Sequence, residues 1–174
     1  MKNIINLRKT LFLLITILCA TYISAQEKGY GAIGANIVGG FGNSYSNLGV
    51  GAKIQLNVLH PIRLEGSFTS FIRNKNISMI DGSLNAHWLA FINDAICIYP
   101  LVGAGIYHTT VYYRDSPNSE AKEHTKSETK VCGNFGGGMD YYLTDVIILN
   151  FEAKYKYIPD ASRYNVSLGI AYLF

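Results

Sequence analysis

Tyr164-Asn165-Val166-Ser167-Leu168-Gly169-Ile170-Ala171-Tyr172-Leu173-Phe174 closes the chain. Tyr164, Val166, Leu168, Ile170, Tyr172 and Phe174 fall on one face of a period-two pattern, and Asn165, Ser167, Gly169 and Ala171 on the other. One face is large and apolar, the other small or polar, and the segment stops on an aromatic. A strand of this kind suits a closed barrel whose outside meets lipid and whose inside is narrow.

The beginning of the chain is compatible with that reading. Lys2, Arg8 and Lys9 precede an apolar run from Leu11 to Leu18, and Ile23-Ser24-Ala25 offers a small residue before Gln26. Residues 1–25 are predicted to be a secretory signal peptide, and the run is too short for a membrane-spanning helix. The surplus of three positive charges in the full sequence is the three of residues 1–25, which leaves twelve basic and twelve acidic side chains. A neutral mature chain argues against a nucleic-acid partner. Cys97 and Cys132 are predicted at opposite ends of neighbouring strands, beyond disulfide reach, as small buried fillers.

Working backwards, Ile147, Leu149, Phe151, Ala153, Tyr155 and Tyr157 alternate with Ile148, Asn150, Glu152, Lys154 and Lys156. Phe135, Gly137, Met139, Tyr141 and Leu143 alternate with Asn134, Gly136, Gly138 and Asp140. Leu48, Val50, Ala52, Ile54, Leu56 and Val58 oppose Gly49, Gly51, Lys53, Gln55 and Asn57; Leu64, Gly66, Phe68 and Ile72 oppose Arg63, Glu65, Ser67 and Thr69; and Leu84, Ala86, Trp88, Ala90 and Ile92 oppose Asn85 and His87, with Leu89 and Phe91 filling the end. The segment 96–113 is apolar on both faces, so its orientation stays open, and Pro100 marks an irregularity because it removes a ladder donor. A first strand from about Gly29 to Val38 brings the count to eight. The predicted fold is all-β, an eight-stranded antiparallel up-and-down transmembrane β-barrel over residues 26–174.

Three connections are short: His60-Pro61, Asn93 to Ala95 and Thr144-Asp145. Gly39 to Ser46, Arg73 to Gly82, Arg114 to Ser127 and Pro159 to Ser162 are read as the loops of the other rim. A soluble ligand-carrying barrel shares the same period. The aromatics near strand ends (Tyr155, Tyr157, Tyr164, Tyr172, Phe174) and a second face crowded with glycine and serine favour the membrane barrel. The inward polar set is Lys53, Arg63, Glu65, His87, Asp140, Glu152, Lys154 and Lys156. Its charged members number four positive and three negative, which predicts a buried ion-pair network plugging the lumen, with a narrow porin for ions or small solutes as the alternative.

The segments Leu101-Val102-Gly103-Ala104-Gly105-Ile106-Tyr107, Asn134 to Asp145, Phe151-Glu152-Ala153-Lys154-Tyr155 and Gly169 to Phe174 resemble small outer-membrane barrels of the OmpA/OmpX-like superfamily, Bacteroidetes type. The resemblance implies a bacterial outer-membrane location with both mature termini facing the periplasm. It implies insertion by the barrel-assembly machinery with Tyr172 and Phe174 in the assembly signal, contact with outer-membrane lipids and lipopolysaccharide, and a structural, envelope-maintenance or surface-interaction role toward an extracellular or host ligand.

Small barrels that modify lipid A make the histidines worth weighing. His108-Thr109-Thr110, with Glu128 across the next loop, lacks the histidine-x-serine pattern of the deacylases that the chain would otherwise resemble. A catalytic triad also depends on geometry that sequence withholds. Gly133-Asn134-Phe135-Gly136-Gly137-Gly138 lies in an alternating β segment rather than before a helix, so it is read as relief of crowding, not as a phosphate loop. No enzyme activity, cofactor or metal is expected.

Overall fold

A computed structural model describes residues 31–42, 46–74, 76–113 and 124–174. The predicted signal peptide therefore lies outside the described residues, as do parts of the loops at Gly39 to Ser46 and Arg114 to Ser127. The strands are β1 (Gly31–Gly42), β2 (Ser46–Leu59), β3 (Ile62–Asn74), β4 (Ile77–Trp88), β5 (Ala90–Asn93), β6 (Ile96–Tyr113), β7 (His124–Tyr142), β8 (Ile147–Tyr157) and β9 (Arg163–Leu173). β4 and β5 are two pieces of one stave, both paired with β6. Their break at Leu89 falls between the rungs His87↔Leu101 and Ala90↔Ile98, opposite the stretch containing Pro100. The missing proline N–H accounts for it.

Every neighbouring pair is antiparallel, and the β4–β6 ladder joins the two ends of the sheet into an eight-stave barrel. Closure matters because an open edge in hydrocarbon would leave backbone groups unpaired at several kcal/mol each. Where the first and last strands, β1 and β9, meet, Gly31 N donates to Phe174 O (3.0 Å) and Phe174 N to Gly31 O (2.9 Å).

The register sets the shape. Following rungs from Ala32 to Gln55, Glu65, Asn85, Gly103, Asn134, Lys156 and Arg163 returns the path to Gly42, ten residues further along β1. Ten residues at ~3.3 Å against eight spacings of ~4.8 Å give a strand tilt of about 40°. At that tilt the rise from Tyr164 to Phe174 is about 25 Å along the axis, the height of an apolar membrane band. Outward aromatics mark both limits: Tyr157, Tyr164 and Phe41 at one end, Tyr141, Tyr172 and Phe174 at the other. Leu168, between them, is 63% exposed, whereas its neighbour Ser167 is 3% exposed.

The alternation extends further than sequence suggested. Ile77 to Gly82 was expected in a loop but belongs to β4, β1 runs on to Gly42, and β7 begins at His124 rather than after Ser127. Strand β6 resolves with its odd-numbered residues inward: Cys97, Tyr99, Leu101 and Tyr107 are buried, while Ile98, Val102 and Ile106 are exposed. The bore is tight enough that a Cβ on Gly103 would meet Asn85 Oδ1 and Leu84 O at 2.3 Å.

Candidate functional site

The lumen is layered. At the end carrying the short turns, Leu89, Phe91, Cys97, Tyr99 and Leu101 form one apolar cluster and Ala32, Ile148, Ala171 and Leu173 another, with Tyr142 packed against both. At the loop end, Val38, Phe71, Met79, Tyr107, Cys132 and Ile158 form a third. Cys97 and Cys132 are free, buried and in opposite caps.

Between the caps lie the charges. Arg63 Nη1 donates to Asp140 Oδ2 at 2.6 Å, while Nε and Nη2 lie 3.2 and 3.1 Å from His87 Nδ1. Tyr99 stacks flat on the His87 ring, with centroids 4.5 Å apart, and the Arg63 guanidinium sits 4.7 Å from the tyrosine centroid. Asn150 donates to Tyr99 OH and to Asp140 Oδ1, both at 2.5 Å, and accepts from Lys53.

One step further along the axis is a four-charge knot. Lys53 Nζ is 2.9 Å from Glu152 Oε1 and 3.5 Å from Glu65 Oε2; Lys154 Nζ is 2.8 Å from Glu152 Oε2 and 3.7 Å from Glu65 Oε1. Gln55 and Asn85 also donate to Glu65, at 2.9 and 3.1 Å. Above it, Lys156 lies 2.8 Å from both carboxylate oxygens of Asp81 and 2.9 Å from Ser83 Oγ. Arg163 then donates to Tyr107 OH and Asn47 Oδ1, against the Phe71 ring.

Among the described residues the inward charges thus number five positive and four negative rather than four and three, because Asp81 and Arg163 join the set. Asp81 was missed for lying in an expected loop, Arg163 for adjoining a turn. Apart from Lys154, whose side chain is 11% exposed, every charged residue of this set is 5% exposed or less. Charges so dry must be paired, since one left alone would be strongly destabilising.

Glu65, His87 and Glu152 bring metal-ligating atoms within 4.8 Å of one another. Two features make this a poor cation site. The ammonium groups of Lys53 and Lys154 already neutralise both carboxylates. Arginine only donates, so His87 Nδ1 is the acceptor and the neutral ring carries its proton on Nε2, 3.9 Å from Glu65 Oε1.

On one side the wall rises past the bore, with β4 paired to β6 as far as Ile77↔Val111 and β6 paired to β7 as far as Tyr113↔His124. The last rung β7 shares with β8 is Gly133↔Tyr157, so residues 124–132 extend nine residues, about 30 Å of strand, beyond it. His108 Nδ1 is 2.8 Å from Thr129 Oγ1, and Thr110 Oγ1 is 3.3 Å from His108 Nε2 and 3.1 Å from Ser127 Oγ. Glu128 pairs with Thr109 and so faces the other side of the ladder from His108. The imidazole rests on hydroxyls, and among the described residues no carboxylate stands behind it of the kind that orients a catalytic histidine.

Known proteins place this architecture. The attachment invasion locus protein Ail of Yersinia pestis superposes with a TM-score of 0.60 at 20% identity, covering 85% of this chain and 100% of Ail. The N-terminal β-barrel domain of Pseudomonas aeruginosa OprF gives 0.60 at 18% identity, over 84% and 100%. Neisserial surface protein A gives 0.62 at 12% identity, over 86% and 99%. Identities this low show the fold alone. No curated protein matches the chain. A family profile for the outer membrane protein beta-barrel domain matches residues 10–174. With nearly the whole chain matched and a closed eight-stave barrel beneath it, the protein belongs to the outer membrane protein beta-barrel family.

Proposed function

We propose that this outer-membrane barrel works at the cell surface rather than as a solute channel. The observation that carries the reading is the contrast between a bore capped by apolar clusters at both ends and a β6–β7 ladder that projects far past the rim. Among the described residues, β7 has a ladder on one side only over residues 124–132. A polar strand with an open edge can add a strand of a partner protein through main-chain hydrogen bonds.

In this reading the short turns and both mature termini face the periplasm, residues 1–25 are removed on export, and the loop end faces outward. The barrel-assembly machinery inserts the chain through its Tyr172 and Phe174 strand. Lipids and lipopolysaccharide surround the apolar band. The role is surface interaction, with no enzymatic step.

The test is to rejoin β6 and β7 by a two-residue Asn-Gly turn in place of residues 110–127 and to compare adherence of producing cells to protein-coated surfaces. Loss of adherence with a barrel that still shifts on unheated gels supports surface interaction. Unchanged adherence contradicts it and favours envelope maintenance.

A further inference from the structure

The wall that rises past the bore ends on one side in β7. The rung Lys126↔Val111 continues through Val111↔Ile77 and Ile77↔Asn74, so a sheet four strands wide stands behind that edge. Residues 124–129 are exposed, and among the described residues they pair with β6 alone.

Like charges along an edge keep second copies of a protein apart. Here the signs alternate. Cys132 is buried in the bore, so Glu128 and Lys126, four and six residues before it, stand on the inner side of the wall. Thr125, Ser127 and Thr129 stand on the outer side.

Self-pairing of two such edges is tightly constrained. An antiparallel pair has a two-fold axis through the sheet, which keeps inner side with inner side, so each possible register is centred on one residue. Centred on Lys126 or Glu128, a charge meets its own copy. Centred on Thr125, Lys126 meets His124; centred on Thr129, the rungs run into Lys130, which the β8–β9 turn holds through Pro159 O at 3.1 Å. Centred on Ser127, Lys126 lies opposite Glu128 twice and Thr125 opposite Thr129 twice, and the five rungs stop short of Lys130.

That axis is perpendicular to the wall and therefore lies parallel to the membrane plane, so it turns the second barrel upside down. Within one membrane every β7 descends in the same sense, and the antiparallel pair forms only between two facing membranes. Ser127 lies six residues beyond the last rung with β8, at Gly133. At a tilt of about 40° this is about 15 Å along the axis, which sets the two rims about 30 Å apart.

We propose that β7 joins two copies of this chain across facing outer membranes, edge to edge about Ser127, and so clumps the cells that make it. The inference rests on the outward-facing, strand-adding edge proposed above and names its partner.

The test mixes two differently coloured populations of a non-clumping host, each producing the full chain, and counts two-colour clumps, with the unheated gel shift checking every barrel. Wild type should clump with wild type and not with cells lacking the protein. Lys126→Glu and Glu128→Lys each set like charges opposite in two rungs, and each should reduce clumping with itself about tenfold. Mixing Lys126→Glu cells with Glu128→Lys cells restores opposite signs in both rungs and should return clumping to the wild-type level. Asp160→Lys makes the same change of charge on the exposed neighbouring turn and should not rescue Lys126→Glu. Undiminished clumping of either variant with itself, no rescue in the mixture, or rescue by Asp160→Lys overturns the proposal. Wild-type cells that adhere to protein-coated surfaces without clumping overturn the self-pairing and leave the strand-adding edge standing; failure of both assays removes both.

Discussion

Glu152 bridges two lysines in the middle of the lumen, and replacing it tests whether the network is dry. Its two oxygens lie 2.9 Å from Lys53 Nζ and 2.8 Å from Lys154 Nζ, and Tyr99 OH donates to it at 3.1 Å. Each ammonium contact is worth about 6 kcal/mol of Coulomb energy at an effective dielectric of ~20, before desolvation is subtracted. Glu152→Gln keeps the shape but leaves Lys53 and Lys154 sharing Glu65 alone. Breaking a buried pair while its partner stays charged costs about 3–5 kcal/mol. Urea unfolding of the vesicle-embedded barrel can follow this through the single tryptophan, Trp88, which faces outward. Adding Lys154→Met to Glu152→Gln removes one charge of each sign and should recover about 2 kcal/mol of the loss. A loss under about 1 kcal/mol, additive between the two sites, would mean a hydrated bore and refute the reasoning.

Other substitutions probe facing, fit and assembly. Leu168→Arg should destabilise the inserted barrel by about 2–4 kcal/mol, read as loss of the unheated gel shift. Ser167→Ala is the matched inward control, because Ser167 is too buried to accept an arginine, and it should keep the shift. Gly103→Ala should cost about 1–3 kcal/mol in urea unfolding through its clash with Asn85 and Leu84, whereas Gly82→Ala should stay within about 0.5 kcal/mol of wild type. Deleting Phe174 removes both of its backbone bonds to Gly31 and should lower the assembled fraction without reducing export, measured by fractionation and the gel shift.

Period two made the barrel legible because a wall with lipid on one side and a narrow bore on the other imposes opposite chemistry on successive residues. It failed where that contrast fades. Cys97, Tyr99 and Leu101 face inward yet are apolar because they close one end of the bore, so β6 read as apolar on both faces. Residues 124–130 lie beyond the apolar band, where both faces are polar, and the pattern says nothing there. Asp81-Gly82 carries the chemistry of a turn, yet Met79, Asp81 and Ser83 all point into the bore. The inward identity of Lys53, Arg63, Glu65, Glu152 and Lys156 followed from alternation. Their partners did not, because Lys53 meets Glu152 across the bore, 99 residues away in sequence.

The central claim is a sealed lumen, and planar-bilayer recording of the purified, refolded barrel tests it most directly. The layered caps and paired charges predict no steady ionic conductance. A reproducible open channel, abolished by substituting Lys53 or Glu152, would contradict the claim and make the protein a narrow porin.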